Sequence, residues 1–281
     1  MAQHDNRIPI GISSCLLGEE VRFNGGHKFD RFINNRLSQF FEFRPYCPEV
    51  AIGLGIPREP IRQVKTEEGI RIQGTKDQSV DVTDELYRYG ERVAVKSGGL
   101  CGYIFKSASP SCGMERVKTY SIKGLPLRSE GVGAFAGRIL EALPNLPAEE
   151  EGRLNDPGLR ENFIARVFTY YRWKQVRASR LSAAKLVDFH TRHKLIVMAH
   201  NQAAYRRLGQ LVAQAGKQNI SHIAEEYENG LMQGMKRQAT RKSHTNVLQH
   251  MQGYLSKQLS DDDREEITRL IEEYRQGLVP L

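Results

Sequence analysis

Residues 8–18 read Ile8-Pro9-Ile10-Gly11-Ile12-Ser13-Ser14-Cys15-Leu16-Leu17-Gly18, a short apolar run passing directly into a turn that carries a cysteine. An apolar run of this length bounded by turn residues reads as a buried strand. The pattern recurs twice. Phe43 to Tyr46 reads as a strand ending at Cys47-Pro48-Glu49, and Gly102 to Phe105 as one ending just before Ser109-Pro110-Ser111-Cys112-Gly113. Between them, Gly26 to Glu42 carries Phe29, Phe32, Ile33, Leu37, Phe40 and Phe41 at helical spacing. Ile70-Arg71-Ile72 is a weaker strand, and Thr83 is expected to cap a helix reaching about Lys96, with Asp84 and Glu85 in its first turn. Strands separated by helices predict an α/β layer with a mostly parallel sheet. Ligands of such sheets bind beyond the carboxyl ends of the strands, so the three turn cysteines are expected on one rim. Cys101, inside the apolar run Leu100–Phe105, is expected in the core.

At roughly 100–200 residues per domain, a chain of 281 residues has room for two domains. Leu143 to Pro157 combines three prolines, a glycine and an acidic run, and is the best boundary. Proline is then absent until Pro280, and amphipathic patterns suggest helices near 158–175, 180–215, 219–239, 243–259 and 261–277. The expectation is a Rossmann-like α/β domain over 1–145 followed by an all-α domain over 158–281. No apolar run approaches membrane-spanning length, and the opening Met1–Arg7 lacks the pattern of a secretory signal. Four cysteines without a disulfide environment suit the same setting, so a cytoplasmic protein with no membrane partner is expected.

Charge divides unevenly. Residues 1–150 hold 20 basic and 19 acidic side chains, whereas residues 151–281 hold 21 and 14. Such asymmetry suits a second half that meets a polyanion, with a solvated basic face as the plain alternative. Arg166, Tyr170, Tyr171, Arg172, Trp173, Lys174 and Arg177 interleave aromatics with cations, as a base-stacking and phosphate-binding surface does. The same residues also suit a helix with Phe168, Tyr171 and Trp173 in its core. His190, His193 and His200 lie within about 80° on one helix. Arg192 and Lys194 beside them disfavour a metal face and favour a basic ridge.

Three thiols leave a coordination position open around a metal, which is where substrates bind in catalytic metal sites. Zinc cysteines usually come in close pairs, and none occurs here. Iron–sulfur ligands tolerate wider spacing and a following proline such as Pro48. A thiol nucleophile with a histidine partner is a third option, for which only His4 and His27 are available in the first half. Glu49, two residues after Cys47, is a candidate general acid or base, or a plain surface carboxylate. Ser109 and Ser111 could equally bond their own backbone. Gly53-Leu54-Gly55-Ile56-Pro57 lacks the third glycine of a dinucleotide loop, and no phosphate-binding Gly-Lys-Ser/Thr loop exists, so no nucleotide cofactor is implied.

The segments Ser14–Gly18, Val21-Arg22-Phe23-Asn24-Gly25-Gly26, Cys47–Val50, Gly53-Leu54, Pro57-Arg58 and Ser109–Gly113 together resemble the thiouracil desulfidase domain, over about residues 8–140. Asn162-Phe163, Val167-Phe168, Leu186–Lys194 and Tyr205-Arg206-Arg207-Leu208-Gly209 resemble a helical domain of unknown function. Fused in this order, the two resemble bacterial tRNA 4-thiouridine desulfidases. The resemblance implies a [4Fe-4S] cluster held by Cys15, Cys47 and Cys112, with its fourth iron open. It implies Glu49 as the proton-handling carboxylate and a serine of the Ser-Pro-Ser-Cys turn, Ser109, as its assistant. Ala108 departs from relatives that often carry a basic residue there.

The activity expected on this basis is non-redox, hydrolytic removal of sulfur from a thiolated uracil base in tRNA, giving uridine. Arg166, Arg172, Lys174, His190, Arg192, His193, Lys194, Arg206 and Arg207 are the expected RNA contacts. The rivals are a desulfidase of free thiouracil and a non-catalytic RNA-binding protein with a structural metal. A thiolation enzyme or sulfur carrier is disfavoured by the lack of an ATP motif.

Overall fold

The computed structural model describes residues 7–281; His4 and the opening segment read for a leader lie outside the described residues. In chain order the first part contains β1 (Ile8–Ser13), α1 (Arg31–Asn35), β2 (Phe41–Tyr46), α2 (Pro48–Ala51), β3 (Ile61–Thr66), β4 (Gly69–Gly74), α3 (Thr83–Lys96), β5 (Tyr103–Phe105), β6 (Thr119–Ser121), α4 (Ala134–Ala142) and β7 (Ala148–Glu150). The rest is helical: α5 (Pro157–Ala178), α6 (Ala183–His200), α7 (Gln202–Val212), α8 (Ile220–Met235), α9 (Arg241–Leu255) and α10 (Asp261–Gln276). The chain forms two compact units, one ending at Phe163 and the other spanning Ile164–Leu281.

The first unit is built on a four-stranded sheet of order β2-β1-β5-β7, every pair of which is parallel. Central β1 is covered on both faces: Ile8, Ile10 and Ile12 are buried, and so are Gly11 and Ser13 between them. A strand covered on both faces has no reason to alternate apolar and polar residues, which is why the segment reads as continuously apolar. The ring of Tyr103 lies directly on Gly11, where an added Cβ would come within 2.3 Å of it. The same ring stacks on Phe105 at a centroid distance of 4.0 Å.

A second sheet has the order β4-β3-β6, of which the sequence signals only the Ile70–Ile72 strand. It packs Ile72 against Val82, Leu86 and Ala134. Three local expectations are corrected here. The 26–42 pattern forms α1, a short 3-10 turn at Leu37–Gln39 and the first two residues of β2. Polar side chains end the helix early, since Asn34 Nδ2 donates to the carbonyls of Leu16 and Asp30, and Phe29 and Phe40 face solvent. Thr83 begins α3 but does not cap it; its hydroxyl accepts the Ile72 N–H at 2.7 Å and donates to Asp81 at 2.6 Å, tying β4 to the helix. The stretch read as the domain boundary supplies β7, whose acids are occupied: Glu150 accepts the Met114 N–H at 2.7 Å and Glu149 accepts from Arg153 Nε at 2.6 Å.

In the second unit the single long helix expected over 180–215 is divided at Asn201, whose backbone is extended and whose side chain accepts the N–H groups of Ala203 and Ala204. The core gathers Trp173, Leu186, Phe189, Leu208, Ile223, Tyr227 and Leu231. Trp173 Nε1 donates to Glu228 at 2.9 Å, and its ring meets the rings of Phe189 and Tyr227, each at 5.0 Å. His190 and His193 are buried beside them. His190 Nδ1 lies 3.1 Å from the Tyr227 hydroxyl, and His193 Nδ1 lies 2.8 Å from the Phe189 carbonyl.

Gly11→Ala is expected to destabilise the first unit by about 1–3 kcal/mol, lowering the urea midpoint; an unchanged midpoint would contradict the close approach of Tyr103. In the second unit, burial holds both buried imidazoles below the ordinary histidine value. The unfolded chain therefore takes up protons that the folded unit refuses, and the stability is present above about pH 6.5 and lost progressively below it. Trp173 is the sole tryptophan, so its fluorescence should report a thermal midpoint that falls between about pH 7 and about pH 5.5, where histidine titrates. The fall should flatten in a His190→Gln/His193→Gln variant, and an equal fall in that variant would assign the effect elsewhere.

Candidate cysteine-lined active site

Because β1, β2 and β5 are parallel, their carboxyl ends share one edge of the sheet. From β1 the chain enters a 3-10 turn, Ser14–Leu17, that carries Cys15. From β2 it passes into α2, where Cys47 is the N-cap and Pro48 opens the first turn, a position in which proline loses no helical hydrogen bond. From β5 it reaches the turn 109–113, closed by the Gly113 N–H on the Ser109 carbonyl at 2.8 Å. A Cβ on Gly113 would lie 2.9 Å from that carbonyl and 2.5 Å from Val117. The opening amides of α4 also hold this turn: Ala134 N bonds Pro110 O at 3.0 Å, and Phe135 N and Ala136 N bond Ser111 O at 3.0 and 3.1 Å. The unpaired N–H groups of a helix start thereby fix the loop that carries Cys112. Fully buried Gln63 on β3 adds a donor to Val132 O at 2.8 Å and to Pro110 O at 3.3 Å.

The three turns enclose a cavity of about 360 Å³ whose walls include Cys15, Cys47 and Cys112. The topological expectation of one shared rim is therefore what the fold produces. Cys101 is buried outside this lining, with Sγ 3.8 Å from Gly99 O. Burial pushes the Cys15 thiol up to about 11 and raises Cys47 and Cys112 as well. Thiols of this kind stay protonated at neutral pH until a metal displaces the proton. Arg22, Lys28, Arg58 and Lys106 share the walls, so the charge of three thiolates would meet cations. The hydroxyl of fully buried Tyr103 finds no hydrogen-bond partner among the described residues, and after burial itself Cys112 acts most strongly on its ionisation. Three thiols on the walls of one cavity are the donor type that iron–sulfur clusters take. Among the described residues no three His, Cys, Asp or Glu side chains form a group able to hold a single metal ion. No described histidine is among the residues that line the cavity.

Glu49 stands on the same wall. Its Oε1 accepts from Ser111 Oγ at 2.6 Å, while its Oε2 accepts from Arg58 Nε and Nη2 at 2.9 and 2.7 Å. Ser109 Oγ lies 3.0 Å from Ser111 Oγ and accepts the Cys112 N–H at 3.1 Å. Ser109 thus lines the cavity but reaches Glu49 only through Ser111. Lys106 Nζ is held by Glu151 at 2.5 Å and by Ser107 Oγ at 3.0 Å, so the acidic run read as the domain boundary also serves the site. Ala108 has a left-handed φ of 57°, a strained conformation for a residue with a Cβ.

Sequence reasoning weighed Ser111 with Ser109 and favoured Ser109, and it missed Arg58 and Lys106 as parts of the site. Of these two only Arg58 lay within a motif already singled out.

In the second unit Arg172, Arg192, Arg206 and Arg207 are exposed, and Lys174 and Lys194 are half-buried. Arg172, Lys185 and Arg192 line a groove of about 870 Å³ along α5 and α6, with Arg192 paired to Asp188 at 3.0 Å. Arg166, His190 and His193 are corrected: helical phase turns them to the buried side, where they cannot meet a polyanion. The three helix histidines make separate contacts rather than a common face, since His200 Nδ1 lies 2.8 Å from Arg237 O. No helix among the described residues is long and apolar enough to cross a membrane.

Comparison with known proteins finds matches in both parts of the chain. Residues 194–281 match a family described as protein of unknown function, DUF1722. The uncharacterized protein YbgA of Escherichia coli (strain K12) is 32% identical over 122 residues, covering 43% of this chain and 72% of that protein. The uncharacterized protein YbbK of Bacillus subtilis (strain 168) is 31% identical over 132 residues, 44% of this chain and 86% of that protein. A solved structure titled as the [4Fe-4S]-dependent thiouracil desulfidase TudS aligns at 26% identity over 57% of this chain and 99% of its own, with a TM-score of 0.42. Residues 10–151, which contain all three cavity cysteines, Glu49 and both turn serines, match 2-thiouracil desulfurase, and the chain belongs to that family.

Proposed function

We propose that this protein removes sulfur from 4-thiouridine in tRNA, leaving uridine, by a hydrolytic desulfuration that uses a [4Fe-4S] cluster. The observation that carries the reading is the cavity at the ends of β1, β2 and β5, where Cys15, Cys47 and Cys112 share their walls with Glu49. Cys15, Cys47 and Cys112 would hold the cluster. When bound, it supplies an open iron that acts as a Lewis acid towards a thiocarbonyl sulfur.

The protein's own groups handle water and protons. Water replaces sulfur at the ring carbon, so a C=S bond becomes C=O and hydrogen sulfide is released, with no change in the oxidation level of carbon. Glu49 accepts a proton from the attacking water. The hydrogen-bonded series Glu49–Ser111–Ser109 offers a path for that proton towards the departing sulfur, because both of its ends, Glu49 and Ser109, lie on the cavity wall. No nucleotide cofactor is required. The four free cysteines suit a reducing cytoplasm.

Recognition of tRNA is supported by the basic bias of residues 151–281 and by exposed Arg172, Arg192, Arg206 and Arg207 with half-buried Lys174 and Lys194. A free base needs no such surface. Extrusion of the thiolated base from the folded RNA would bring it to the cysteines.

The first test is nucleoside analysis of bulk bacterial tRNA after anaerobic incubation with cluster-reconstituted protein. The wild type should deplete 4-thiouridine and accumulate uridine, and Cys112→Ala should do neither. Glu49→Ala should keep its iron and sulfide and lose turnover; loss of the cluster instead would make Glu49 structural. Turnover of free 4-thiouracil with tRNA left intact would overturn the substrate reading.

Binding of tRNA should weaken steeply with salt. Arg172→Glu/Arg192→Glu should lower the slope of log K against log salt by about 1 for each phosphate that is no longer neutralised. A salt-insensitive affinity would remove the second unit from RNA recognition.

A further inference from the structure

We propose that Arg58 is a positioning residue that assigns the proton-accepting role to one oxygen of Glu49, Oε1, by occupying the other. The inference rests on the reading of Glu49 as the group that takes a proton from water. A carboxylate offers about two acceptor directions on each oxygen. Arg58 places two donors, Nε at 2.9 Å and Nη2 at 2.7 Å, on Oε2 alone. Oε1 carries one donor, Ser111 Oγ, and keeps a direction open. Ser111 is also the link to Ser109 on the cavity wall, so the oxygen with spare capacity is the one joined to the proton path.

Arg58 can hold this orientation because it is itself held. Nη2 also donates to the Val21 carbonyl at 2.9 Å, Nη1 donates to the Gly55 carbonyl at 2.9 Å, and the Arg58 N–H donates to the Phe23 carbonyl at 2.8 Å. The side chains of the pair are only 6% and 14% exposed, so water does not compete freely for Oε2. A purely structural tether between the Val21 and Gly55 loops would need the two carbonyl contacts and nothing more. The pair of bonds to a single carboxylate oxygen is the feature that such a tether leaves unexplained. Lysine could not reproduce it, because an ammonium supplies a point charge and not a planar fork.

The experiment compares Arg58→Met, Arg58→Lys, Glu49→Gln and Arg58→Met/Glu49→Gln in the full-length chain. Iron and acid-labile sulfide, thermal midpoints of the cluster-free protein, and kcat and KM are measured together. Misplacement of a reacting group by about 1 Å costs on the order of 100-fold in rate. Arg58→Met and Arg58→Lys should therefore both lose kcat on that order, with KM and cluster content at wild-type levels. In cluster-free protein the midpoints of the two single variants should not add in the double variant, because each removes the other's partner.

Wild-type kcat in Arg58→Lys would show that charge alone suffices and overturn the assignment. Loss of iron in step with kcat would make Arg58 structural, and additive midpoints would deny the pairing. Should Arg58→Met fail to fold, Arg58→Lys, which keeps the buried charge, carries the kinetic comparison. Full activity in Glu49→Gln would sink the reading of Glu49 itself, whereas an inactive Glu49→Gln beside active Arg58 variants would sink only the role of Arg58.

Discussion

β1 is hydrogen-bonded by parallel strands on both sides, and the position of every reactive group depends on that pairing. A strand of six residues such as β2 is about 20 Å long. Had β2 run antiparallel to β1, Cys47 would stand at the opposite edge of the sheet from Cys15. The order β2-β1-β5 also means that the chain leaves β1 to one side, returns, and continues on the other. A crevice opens where the connections diverge, and the three cysteine turns and α2 fill its rim. The central strand must then be covered on both faces, which explains why Gly11 lies under the Tyr103 ring and has no room for a side chain.

In this crevice Glu49 is paired with Arg58 and Lys106 with Glu151. The thiols are held protonated by burial, and Glu49, set between Arg58 and Ser111, has partners on both oxygens. A buried ion pair of this kind is weak evidence for stability, since desolvation offsets most of the attraction. What it does supply is orientation. The Glu149–Glu151 run follows the same logic with its sign reversed. Each of these acids is matched by a guanidinium, an ammonium or backbone N–H groups, through Arg153, Lys106, and Met114 with Glu115.

The parts of this architecture legible in the sequence were those with strong local signals. β1, β2 and β5 are apolar runs, and Cys15, Cys47 and Cys112 each sit in a turn that follows one. β6 and β7 were not legible, because each is three residues long and pairs only with a strand far along the chain, and β3, though it forms a hairpin with β4, carries polar Arg62, Gln63 and Lys65 in place of an apolar run. Gln63 is buried only because the carbonyls of Pro110 and Val132 receive it. The pairing of Glu49 with Arg58 and with Ser111 was illegible because it crosses 9 and 62 residues, distances over which spacing carries no information. The 26–42 segment misled in the opposite way. Its apolar spacing matches a helix, yet Phe29 and Phe40 are exposed and Asn34 bonds to nearby carbonyls instead of extending one.

The second unit shows why a count of basic residues overstates a binding surface. Arg166, His190 and His193 contributed to the apparent ridge, but the helical period of about 3.6 residues per turn carries them to the inner face. The imidazoles there are disfavoured as cations by the burial that makes them useful in packing. The exposed cations on α5, α6 and α7 include Arg172, Arg192, Arg206 and Arg207. Attraction between a polyanion and charges that stand in solvent is screened by salt. The two sites treat charge in opposite ways: at the cavity the Glu49 side chain is largely buried and paired with Arg58, which fixes its direction, whereas Arg172, Arg192, Arg206 and Arg207 stand in solvent, where long-range attraction needs no fixed geometry.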